Sequence, residues 1–95
     1  MILVVATVRL HPGCGAQYEA QVAQIMPQVR AANRGIVFYH AARARDEADT
    51  YRVVEAYADQ AAMDRHVGSA ALQSSLAQLQ PLIAGIEIKL HDQVA

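Results

Sequence analysis

Along this chain the apolar residues change their spacing from two to three or four and back, twice over, and this alternation most constrains the fold. From Ile2 to Leu10 a β-branched run sends Ile2, Val4, Ala6, Val8 and Leu10 one way and Leu3, Val5 and Thr7 the other, the pattern of a strand covered on both faces. Pro12, Gly13 and Gly15 break it. From Ala16 to Asn33, Tyr18, Val22, Ile25, Val29 and Ala32 recur at helical steps, so an amphipathic helix is expected. Pro27 lacks the amide proton a helix interior requires, which predicts a kink near Ala23 to Pro27 or two short helices. Gly35 is expected to end the helix in the left-handed conformation.

Period two returns in Ile36 to Arg43, with Ile36, Phe38 and His40 on one face and Val37, Tyr39 and Ala41 on the other. After the charged connection Arg45 to Asp49, a third strand from Tyr51 to Ala58 places Tyr51, Val53, Glu55 and Tyr57 on one face. Asp59 is a suitable N-cap for a short helix, Gln60 to Val67, on which Ala62 and His66 share a side. Gly68 ends it, and Ser69 caps a further helix with Leu72, Leu76, Leu79 and Ile83 in its stripe, closed by Pro81 and Gly85. Ile86, Ile88 and Leu90 alternate with Glu87, Lys89 and His91, which predicts a fourth strand with one wet face.

The order β-α-β-β-α-β in a single domain, residues 1–95, is that of a ferredoxin-like α+β fold: a four-stranded antiparallel sheet with its helices on one face. The other sheet face keeps apolar side chains and no helix remains to cover it, so a homodimer is expected. Composition points the same way. Charged residues are 18% of the chain, below the roughly 25% of ordinary soluble domains, and hydrophobic residues are 54%, more than a small monomer easily hides.

The net charge of -1 and singly scattered basic residues argue against nucleic acid as a partner. No stretch reaches the roughly 20 apolar residues that span a bilayer, and Ile2 to Ala6 is too short for a signal-peptide core, so no membrane partner and a cytoplasmic location are expected. Cys14 stands alone and cannot form an internal disulfide. With His11, His40, His66 and His91 it makes no metal-ligand spacing, so no metal is expected.

His66 has the titration range of a base that takes a phenol proton or a donor that steadies an oxyanion; the plainer role is a helix-end histidine bonded to a carbonyl or to Glu55. Glu55, a carboxylate among apolar neighbours, can orient His66 or act as a base, or serve as a structural acceptor. Tyr39 and Tyr57 offer phenol donors to a substrate oxygen or simply pack. Asn33 can donate to a ligand or cap the helix, and Met26, Met63, Phe38, Leu72 and Leu76 suit a pocket lining or a plain core.

Glu55-x-Tyr57-x-Asp59-x-x-Ala62-x-x-x-His66-x-x-Ser69, preceded by Gly35-x-x-x-Tyr39, resembles the antibiotic-biosynthesis monooxygenase family of dimeric α+β barrel proteins. The resemblance covers essentially the whole chain. It implies a homodimer with facing sheets, each subunit holding a pocket between sheet and helices, and chemistry without cofactor or metal. In quinone-forming members a polycyclic phenol is deprotonated, its anion reacts directly with O2, and a peroxide collapses to a quinone; for this chain the implied partners are a small apolar aromatic substrate and O2. Residue chemistry and, for His66, this resemblance make His66, Glu55 and Tyr57 the catalytic candidates, and Tyr39, Asn33, Met63, Phe38 and Leu72 the substrate-binding ones. A non-catalytic dimeric binding protein and a cofactor-free isomerase are the alternatives. Haem degradation is disfavoured, because Ala6 and Thr7 stand where that branch carries an asparagine and the chain has no Trp.

Overall fold

A computed structural model describes residues 1–95. The elements are β1 (Ile2–Leu10), α1 (Gly15–Ala32), β2 (Ile36–Arg43), β3 (Thr50–Tyr57), α2 (Gln60–Val67), α3 (Ala70–Leu79), a 3-10 turn (Gln80–Leu82) and β4 (Ile83–Asp92). The sheet order is β2-β3-β1-β4 and every neighbouring pair is antiparallel, the ferredoxin-like arrangement. No helix is long and apolar enough to cross a membrane.

Register decides what the helices cover. Val4 pairs with Glu55, Ala6 with Val53 and Val8 with Tyr51, so these residues form one continuous face. Onto it α1 lays Tyr18, Val22, Ile25, Met26 and Val29, all buried, and Leu79 and Leu82 close the far end. Burying each such side chain is worth about 1.5 to 3 kcal/mol, which explains why α1 does not divide at Pro27. The helix runs unbroken from Gly15 to Ala32. Ile25, Met26 and Val29 anchor it on both sides of the proline, whose own position is exposed. One lost hydrogen bond does not outweigh that packing.

Three further expectations are corrected. Gly35 does not take a left-handed conformation, since Gly13 is the glycine with positive φ. It is required for close approach, because a Cβ there would lie 2.3 Å from that of Ala62. In β2 a register shift between Ile36 and Phe38 puts Ile36 opposite Tyr57 and Phe38 opposite Ala56. Ile36 therefore packs against the core, while Phe38 stacks on His40 on the outer face, their ring centroids 6.0 Å apart. In β4, Ile86, Ile88 and Leu90 do lie on the helix side, opposite Val8, Ala6 and Val4. Yet they are 45%, 60% and 56% exposed, so β4 has no dry face in the single chain.

Candidate active site

The site is built where β3 turns into α2. Alternation along β3 aims Glu55 and Tyr57 toward the helices, and both are buried. Asp59 then stops the strand and starts the helix, its carboxylate accepting from the Ala62 amide at 2.8 Å. Ala62 and His66, four residues apart, are the buried face of α2. Ser69 fixes the exit: its hydroxyl donates to the His66 carbonyl at 2.8 Å and accepts from the Leu72 amide at 3.1 Å. The histidine is thus held at a helix end by caps on both sides.

Asn33 and Gly35 set the height of α2 over the sheet. The Asn33 amide donates to the Ala62 carbonyl at 2.7 Å, and its oxygen accepts from the Gly35 amide at 3.0 Å. Because Gly35 has no Cβ, Ala62 settles directly onto the corner between α1 and β2. His66 comes to rest with its ring 5.2 Å from that of Tyr39, edge on, and 5.6 Å from that of Tyr57.

Polar contacts are few and unequal. Tyr57 donates its hydroxyl to Glu55 Oε1 in a short hydrogen bond. Glu55 Oε1 is 3.9 Å from His66 Nε2, too far for a hydrogen bond but close enough to face an imidazolium. Burial pushes the Glu55 carboxyl up, and the bond from Tyr57 partly offsets this. Burial also pulls His66 below its ordinary value, leaving a neutral imidazole at neutral pH. The Tyr57 and Tyr39 phenols are both pushed up, by burial first and by nearby Glu55 second, so they remain donors.

These groups sit at one end of a cavity of about 260 Å³ lined almost wholly by apolar side chains. The cavity lies between the sheet and α1, α2 and α3, and Val67, Leu76, Ile86, Ile88 and Leu90 flank its open side. Of the residues singled out in the sequence, His66, Glu55, Tyr57, Tyr39, Met63 and Leu72 all line it. Asn33 and Phe38 do not. Both ends of the Asn33 amide are committed to backbone, and Phe38 lies on the opposite sheet face. Tyr18 also lines the cavity, a position the sequence marked only as part of an apolar stripe. Its one visible signal is a polar tip on an otherwise aliphatic stripe. No three His, Cys, Asp or Glu side chains converge where they could share a metal ion.

A buried, unbonded imidazole at the end of an apolar cavity, with a carboxylate behind it, can accept a proton from a weakly acidic ligand and have the resulting charge balanced. The family model for antibiotic biosynthesis monooxygenase matches residues 1–78. Among solved structures, a Caulobacter crescentus CB15 protein named for antibiotic biosynthesis monooxygenase superposes with a TM-score of 0.93 at 30% identity, over 99% of this chain and 90% of that one. A Shewanella oneidensis protein gives 0.86 at 28% identity, over 97% and 89%. A variant of SnoaB from Streptomyces nogalater, described as a cofactor-independent oxygenase, gives 0.83 at 22% identity, over 97% and 91%. Among curated proteins there is no significant match.

Proposed function

The chain belongs to the antibiotic biosynthesis monooxygenase family, and on that premise we propose that it is a cofactor-independent monooxygenase oxidising a small phenolic or quinol-type ring with O2 to a quinone. The observation that carries this reading is the unbonded His66 imidazole at the polar end of an apolar cavity. His66 takes the phenol proton, and Glu55 faces the imidazolium so formed. The electron-rich anion passes electrons to O2, and a ring carbon forms a bond to oxygen. As the O–O bond breaks, that carbon loses its hydrogen and becomes the second carbonyl. The ring gives up two hydrogens, one from oxygen and one from carbon, and both leave in one molecule of water. Apolar walls favour this course by keeping bulk water from the anion and the peroxide.

Met63 and Leu72 bear on the ring, Tyr39 supplies the nearby phenol donor, and Tyr57, whose hydroxyl donates to Glu55, holds that carboxylate behind His66. The protein acts as a homodimer on this reading, paired through the sheet face opposite the helices. There Leu3, Val5, Phe38 and Val54 are only half-buried in the single chain.

Mass spectrometry of naphthols, hydroquinones and anthrones incubated with the protein under air and under nitrogen tests the reaction class. Quinone formed only under air is the expected result. Isomerised product under nitrogen would replace the oxygenase by an isomerase, and tight binding without product would replace it by a binding protein.

A further inference from the structure

The cavity has a second polar end that the proton transfer does not use. Tyr18, on α1, is 1% exposed and lines the cavity, and its hydroxyl has no hydrogen-bond partner in the chain. Its ring rests on Tyr51, with centroids 4.7 Å apart. Tyr51 precedes Glu55 by four residues on β3, a span of about 13 Å at the usual rise, so Tyr18 stands toward the end of the cavity away from Glu55 and Tyr57. Tyr39 lies between, its ring against His66 and its hydroxyl within the electrostatic reach of both Glu55 and Tyr18. Burial pushes the Tyr18 phenol up to about 12, and a neutral phenol is a hydrogen-bond donor at any ordinary pH. The hydroxyl is not among the chain's enclosed unpartnered side-chain atoms, which are Gln21 Oε1 and Arg52 Nη1, so it keeps access to open space, and the cavity that Tyr18 lines supplies such a space.

We propose that the Tyr18 hydroxyl binds a second oxygen of the ligand, remote from the one that His66 deprotonates, so that the cavity selects rings oxygenated at both ends. This rests on the phenol-oxidising reading and adds a specificity-determining residue to it. An oxygen there satisfies a donor that an alkyl group of the same size leaves unpaired. Selection therefore acts on the atom type rather than on ligand volume.

Calorimetry under nitrogen with para-methoxy-α-naphthol and its near-isosteric para-ethyl counterpart is the test. The wild-type protein is expected to bind the methoxy compound about tenfold more tightly. Tyr18→Phe is expected to abolish that preference by weakening the methoxy compound, with the ethyl compound bound at least as tightly as before, which also reports an intact cavity. Equal wild-type affinities, a preference that survives Tyr18→Phe, or a variant that weakens both ligands alike would overturn the inference and leave the phenol reading standing. Binding of neither compound would count against both.

Discussion

Glu55 and Tyr57 stand two residues apart on β3, and the hydrogen bond between them couples a raised carboxyl to a phenol that cannot ionise. Tyr57→Phe removes the donor and leaves the buried carboxylate uncompensated, which costs about 1.5 to 3 kcal/mol for a bond to a charged group. The sign of its pH dependence follows from Glu55. A carboxyl raised in the folded state favours the fold most at low pH, so the loss in the variant should be largest at neutral pH and shrink as Glu55 protonates. Urea unfolding at neutral and mildly acidic pH checks this, and a cost independent of pH would contradict it. Much at this scale was legible in the sequence. Period two put Glu55 beside Tyr57, and Asp59 as N-cap with a four-residue step put His66 on the buried side of α2. The capping role of Asn33 beside Gly35 is local and legible, whereas its bond to the Ala62 carbonyl spans 29 residues, a contact no local pattern encodes. In the sequence Tyr18 is visible only as one ring in an apolar stripe.

Element boundaries followed the sequence closely because caps and breakers are local chemistry: Asp59, Gly68 and Ser69 all act where expected. What local chemistry did not reveal was tertiary. Packing of Ile25, Met26 and Val29 carries α1 through Pro27, and a single bulge in β2 brings Ile36 to the cavity side with Tyr39, while Phe38 stays on the far face by alternation. The seat of α2 depends on the missing side chain at Gly35. Gly35→Ala forces its Cβ into that of Ala62 and must lift the helix, a destabilisation of about 1 to 3 kcal/mol typical of overpacking. Because His66 rides on α2, ligand affinity should fall as well. Equilibrium unfolding with calorimetry on the variant measures both, and unchanged values for both would mean that the corner does not set the height of α2.

For the molecule as a whole, the helices cover β3 and β1 but leave β4 open, so one edge of the cavity and one whole sheet face lack a covering layer in the single chain. That imbalance fits a chain with 54% hydrophobic residues. Light scattering is expected to give twice the mass of one chain, and a stable monomer would contradict the pairing of sheet faces. On the proposed function, a buried neutral histidine starts direct oxidation by O2. Oxygen-electrode measurements on the phenol that gives quinone, with wild-type protein and His66→Gln across pH, test it most directly. One O2 consumed per quinone is predicted, with an acid limb whose midpoint lies below the ordinary histidine value of 6.5 and a limb and turnover lost in the variant. Protein-dependent O2 uptake that persists unchanged in His66→Gln, or no uptake from any phenol bound in the cavity, would contradict it.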